Sequence, residues 1–270
     1  MLSLRSNVAG RLTLRGESEA TFGVKPWMST EDEGGLAKPY SDGLPSQTTQ
    51  QLLTTSFLAR RAKNLAQCPS DTVGPNFWLD FCRMASELES YGCLNNPIFS
   101  IAHLDLAPRN ILINLAVHAD VPIISGILDW DSAVLGPQVL SCAPPMWLWA
   151  WQDNEDEDER KANDTPPTAR NRELKKLFQE AAGPEYMRLA YGEENRLARR
   201  LIRFDIDGLQ SNEDFKEAES MLAEWRMKSG QRPQEGIVLV NEVIRLNSPE
   251  QEMGESRKES LGYMGVRRHR

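Results

Sequence analysis

Apolar positions recur at helical spacing over most of the chain, and only its middle reads as strand. Residues 76–91 carry Phe77, Phe81, Met84 and Leu88, spaced four, three and four apart on one face of a helix. Residues 47–67 have a looser period, with Ser and Thr at the start and Arg60, Arg61 and Lys63 late. That order suits the helix dipole. Further on, Leu174, Leu177, Phe178 and Ala181 share one face of a helix that Gly183-Pro184 ends, permitting another. Leu197, Leu201 and Phe204 mark the next stripe. Phe215, Ala218, Leu222 and Trp225 mark another, opened by the cap-like Ser211-Asn212-Glu213-Asp214 and closed by Gly230. Between these blocks lie two short β-branched runs, Ile111-Leu112-Ile113-Asn114-Leu115 and Ile123-Ile124-Ser125-Gly126-Ile127-Leu128. His118-Ala119-Asp120 and Pro122 separate them, so a β-hairpin is predicted. The pattern is α+β and mostly α.

The flanks carry less pattern. Residues 1–46 are turn and loop compositions around Gly34-Gly35 and Gly43-Leu44-Pro45, with a strand-like or frayed start. Ile237-Val238-Leu239-Val240 suits a strand or a short helix equally, and residues 247–270 read as a polar, disordered tail. Six of the seven residues 153–159 are acidic, so 153–165 is expected to be a solvated, mobile loop.

Composition narrows the function classes. A net charge of −8 and a pI near 5.1 argue against nucleic acid as a partner. No apolar run reaches the roughly 18 residues of a membrane span. Cys68, Cys82, Cys93 and Cys142 lack C-x-x-C spacing, so neither a zinc site nor a disulfide framework is expected. A cytoplasmic location follows as the default. The alternative is a transit peptide, since Arg5, Arg11 and Arg15 precede the first acid, Glu17.

The chemistry concentrates at the hairpin. His103-x-Asp105-Leu106-x-x-x-Asn110 precedes the first strand and Asp129-Trp130-Asp131 follows the second. A hairpin brings its ends together, so two carboxylates and a carboxamide, all hard oxygen donors, face one small volume. Phosphoryl transfer uses such a set: one carboxylate accepts the proton of the attacking hydroxyl, while an amide oxygen and another carboxylate hold Mg²⁺. The protein-kinase catalytic loop, H-R-D-L-x-x-x-N, is matched except that Leu104 stands where arginine would.

In these motifs the chain resembles the aminoglycoside phosphotransferase/choline kinase-like family, and its fungal members in particular. The resemblance runs over about residues 76–228 and is strongest over 98–151. It implies a protein kinase-like C-terminal lobe, with the hairpin packed on a helical bundle, over residues 47–246. It implies Asp105 as catalytic base, Asn110 and Asp129 as Mg²⁺ ligands, and ATP as cosubstrate with a small-molecule hydroxyl as acceptor. His103 would hold the loop by packing, and Asp131 and Trp147 would stand on the substrate side. Trp147, Trp149 and Trp151 form either an aromatic wall beside the acceptor or ordinary core. The acidic loop either remains solvated or attracts a cationic acceptor.

The family's glycine-rich phosphate loop and strand lysine have no recognisable counterpart, and residues 1–46 leave too little sequence for a sheet around Lys25 or Lys38. Two readings therefore stand beside each other: a phosphotransferase, and a catalytically inactive, truncated lobe acting as a binding module. A third, metal-dependent hydrolysis by Asp129 and Asp131, lacks a histidine or carboxylate cluster to build its site.

Overall fold

A computed structural model describes residues 5–6, 8–15, 21–25, 27, 48–70, 73–95, 98–114, 123–150 and 158–230. Over these the chain is α+β and mostly helical. Its helices are α1 (Thr49–Gln67), α2 (Val73–Ser90), the short α3 (Gln138–Ser141), α4 (Ala169–Tyr191), α5 (Glu193–Asp207) and α6 (Asn212–Ser229). α5 is the axis of the bundle, packing against α1, α2, α3, α4 and α6. Its Leu197 and Leu201 are buried, as the spacing predicts, and so are Ala198 and Ile202. The ring of Phe204 stacks on Phe81 of α2 at 5.2 Å, and Phe81 meets Phe57 of α1 at 5.3 Å.

The helix starts follow from their capping residues. Thr48 accepts from the Gln51 backbone N–H, and Gln51 Oε1 accepts from the Thr48 N–H, which closes a capping box on α1. Ser211 and Asp214 do the same for α6. α4 breaks at Gly183, whose φ of 79° is open to glycine and strained for other residues. α6 is tied to α2 by Trp225 Nε1 donating to Glu87 at 2.7 Å and by Arg226 pairing with Asp80.

In residues 1–46 the strand-like start is found, and the expectation that they leave too little sequence for a sheet around Lys25 is corrected. The loop readings at Gly34-Gly35 and Gly43-Leu44-Pro45 and the residue Lys38 lie outside the described residues. β1 (Arg5–Ser6), β2 (Gly10–Arg15) and β3 (Thr21–Lys25) join β4 (Phe99–Ala102) and β7 (Val134–Pro137) in one antiparallel sheet, in the order β1-β4-β7-β2-β3. Lys25 does end a sheet strand. The sheet forms because the early strands borrow partners that flank the central motif: Gly10 lies opposite Leu135, and Arg5 opposite Ser100. Short segments can be strands when such distant partners bury them. The described strands β1, β2 and β3 thus belong to the same unit as the helices.

Three further expectations are corrected. The hairpin, β5 (Ile111–Ile113) and β6 (Ile124–Ile127), forms as predicted but is not packed on the bundle. Ile113 is 58% exposed and Ile123 73%, and Leu112 and Ile124 are exposed as well. Within 153–165, residues 159–163 form a 3-10 turn, anchored by Glu159 on the buried guanidinium of Arg199. The charge run therefore includes a folded segment, because a buried cation neutralises one of its acids. On α4, Leu177 is exposed and Lys175 is buried instead. Its ammonium donates to the carbonyls of Ala162 and Asp164, at 2.7 and 2.8 Å.

The turn at 115–122, residues 153–157, Trp151, Ile237-Val238-Leu239-Val240 and the tail lie outside the described residues. All four cysteines are free thiols. No helix among the described residues is long and apolar enough to cross a membrane.

Candidate functional site

The site grows from the joint between sheet and hairpin. β4 is buried along its whole length and delivers the chain to His103. A 3-10 turn, Pro108–Asn110, then leads into β5. Pro108 stands first in that turn, where its fixed φ favours the bend and its missing N–H leaves nothing unsatisfied.

His103 locks the two halves of the motif together. Its Nδ1 accepts from the Asp105 backbone N–H at 3.3 Å, so its Nε2 carries the proton and donates to the Leu128 carbonyl at 2.7 Å. The Leu128 N–H in turn donates to the Asn110 carbonyl at 2.8 Å. The residue just before Asp129 is therefore hydrogen-bonded to both His103 and Asn110. His103 is buried, and its ring meets the edge of Trp130 at 4.9 Å. With both ring nitrogens bonded to backbone, it holds the loop and is not placed to shuttle protons.

Asn110 is buried, and its Nδ2 donates to the Asp105 carbonyl at 2.8 Å and to Asp105 Oδ2 at 3.2 Å. Spending the amide nitrogen on Asp105 leaves Oδ1 as the atom that Asn110 can offer to a cation. Asp129 has φ 60° and ψ 58°, and is the only non-glycine residue with positive φ among those described. Holding an L-residue there costs roughly 1–2 kcal/mol, and aspartate is among the few side chains that tolerate it. Such a strained residue, kept at the junction of strand and turn, is a recurrent sign of a functional position. Its carboxylate makes no hydrogen bond or ion pair among the described residues.

Asn110 and Asp129 together offer one amide oxygen and one carboxylate. That suits Mg²⁺, which takes few protein oxygens and completes its shell with water and phosphate. It does not suit a metal that needs a cage of its own, since no cluster of three or more His, Cys, Asp or Glu that could hold a metal exists among the described residues.

The remaining predicted residues divide. Asp131 lies exposed on the turn Trp130–Ser132, directly after Asp129. Trp147 is half-buried on a turn that packs against α4, and no ring contact or hydrogen bond of its side chain joins it to Asp105 or Asp129 among the described residues. Trp149 is core, its ring 5.5 Å from Phe178.

Two residues at the site escape the motif pattern. Arg109 pairs with Asp105 Oδ1, so both oxygens of that carboxylate are engaged. The signal was the i,i+4 spacing of opposite charges across the turn. Arg203 of α5 donates to the Leu104 carbonyl at 3.3 Å, tying the loop to the central helix across 99 positions, a contact that local spacing does not encode. Comparison of the chain with protein-family models, with curated proteins and with solved structures finds no match.

Proposed function

We propose that the chain is a kinase-like phosphotransferase that moves the γ-phosphate of ATP to a hydroxyl of a small-molecule acceptor. The observation that carries this reading is the bridge from His103 and Asn110 to Leu128, which sets Asp129 beside the Asp105–Asn110 loop. These are the residues to which the resemblance gives the base and metal-ligand roles. Asp105, partly exposed, would take the acceptor's proton as the hydroxyl oxygen attacks phosphorus. Asn110 Oδ1 and Asp129 would hold Mg²⁺, which supplies charge neutralisation on the phosphate oxygens. The exposed apolar hairpin at the same end offers a surface of the kind that binds ligands, here a flat nucleobase. Asp131, exposed on the turn that follows Asp129, would stand on the acceptor side.

The test is ADP release from Mg²⁺·ATP across a panel of small alcohols, amino alcohols and aminoglycosides. At least one acceptor is expected to raise ADP release above the acceptor-free rate, and chelation of Mg²⁺ is expected to abolish the increase. A panel that leaves the rate at background would remove the transferase reading. A second reading, a nucleotide-binding module without turnover, is favoured by the engagement of both Asp105 oxygens. It would show as nucleotide binding with no acceptor-dependent release.

A further inference from the structure

We infer that Arg109 is the phosphate-binding cation of this site, and that its pairing with Asp105 is a resting position which it leaves when nucleotide arrives. The inference rests on the phosphotransfer reading. Asp105, Asp129 and Asp131 make the rim of the site acidic, and a polyphosphate brought to it needs a cation from the protein as well as Mg²⁺. Among the described residues two arginines contact the loop. Arg203 is committed to the Leu104 carbonyl and pairs with Asp207 on its own helix. Among the described residues the Arg109 side chain is paired with Asp105 alone, and it is 60% exposed.

The anchoring of Arg109 suits a swinging side chain. It stands between Pro108, whose ring fixes the backbone, and Asn110, which is buried and bonded to Asp105 at two points. The main chain is held while the guanidinium on its long stem is free to turn. An ion pair as exposed as this one is weak, because water and salt screen it. A phosphate group carries more charge than a carboxylate and accepts the guanidinium fork through two oxygens. Transfer of Arg109 from Asp105 to phosphate is therefore favourable.

The consequence is an order of events. While Arg109 pairs with Oδ1 and Asn110 with Oδ2, each oxygen of Asp105 already accepts a hydrogen bond, and Arg109 competes with an incoming hydroxyl for Oδ1. Once Arg109 turns to the phosphate, Oδ1 is released. The acceptor O–H proton then passes to Oδ1, the acceptor oxygen bonds to the γ-phosphorus, and the bond from that phosphorus to the bridging oxygen breaks, with ADP leaving. The base is freed of that competition only when a phosphate is present to receive the arginine.

Calorimetric titration of the full chain with Mg²⁺·ATP tests this. Arg109→Ala is expected to raise Kd roughly ten-fold or more, the range for losing a charge-assisted contact. Arg109→Lys should recover part of that loss. Asp105→Asn, which removes the competing carboxylate charge, should bind Mg²⁺·ATP more tightly than wild type, and the double variant should bind no better than Arg109→Ala. A merely structural arginine would not produce that tightening, and its exposure predicts an unchanged Tm for Arg109→Ala. Wild-type affinity in Arg109→Ala would overturn the inference and leave the phosphotransfer reading standing. A wild-type chain that titrates no nucleotide would overturn both.

Discussion

Replacing Asp105 by asparagine is expected to lower acceptor-dependent turnover roughly a hundred-fold or more, the usual contribution of a positioned general base. Asparagine keeps the size of the side chain and its ability to meet Asn110, so the loop should hold its shape. The loss should fall on kcat, with nucleotide binding retained, because the proton moves only as the new bond forms. Single-turnover and steady-state rates of wild type and Asp105→Asn, measured with the best acceptor, check it. Equal kcat values would show that Asp105 is not the base. A loss confined to KM would make it a binding residue instead.

The second large effect concerns stability. Asp205 of α5 is fully buried, and burial pushes its carboxyl up to about 7, tempered by the nearby Ser56 hydroxyl and the Arg60 charge. Neither oxygen makes a well-formed hydrogen bond. Arg60 donates instead to the Asp205 backbone carbonyl at 2.6 Å and lies over the Trp78 ring. A Cβ at Gly208, where φ is +82°, would meet Arg60 Nη1 at 2.8 Å, so glycine is what lets the guanidinium sit there.

The sign of the pH effect follows from the direction of that shift. An unfolded aspartate titrates near ~4, and the folded one near about 7. Between these values the folded chain holds a proton that the unfolded chain has released. The contribution of Asp205 is therefore fully present below ~4, falls by up to about 1.4 kcal/mol per pH unit as pH rises, and levels above about 7. Urea unfolding of wild type and Asp205→Asn from pH 5 to 8 reads it. The stability difference between the two should drift in favour of the asparagine variant from pH 5 to about 7 and then level off. A difference that stays constant with pH would mean that Asp205 is charged throughout.

Helices were the legible part of this fold, for a physical reason. Phe77, Phe81, Met84 and Leu88, or Leu197, Leu201 and Phe204, repeat at 3.6 residues because one face of each helix is buried whatever lies opposite. The sheet hides for the converse reason. β4 is buried on both faces, so Phe99-Ser100-Ile101-Ala102 shows no alternation, and β7, the partner that ties β2 to the rest of the sheet, lies more than a hundred positions from it. Periodicity also misplaces Leu177, since what buries Lys175 is a pair of backbone carbonyls from another segment.

At the site, the order of His103, Asp105, Asn110 and Asp129 could be read directly, and the structure brings their backbones together. The left-handed backbone of Asp129 and the grip of Arg109 on Asp105 could not. The first is a conformation, and the second falls on a position that the motif leaves unspecified. The exposed hairpin has the same lesson. Apolar runs announce strands, but not whether the described chain covers them.

Thermal unfolding of wild type and Asp129→Asn with millimolar Mg²⁺·ATP tests the proposed site most directly. Asparagine tolerates the left-handed backbone, so the variant should fold while losing the metal-binding charge. A ligand that binds only the folded chain raises Tm, by several degrees when it stands about a hundred-fold above Kd. Wild type should show that rise, chelation of Mg²⁺ should remove it, and Asp129→Asn should lose most of it. An unchanged wild-type Tm, or the same rise in the variant, would contradict a Mg²⁺·nucleotide site at this hairpin.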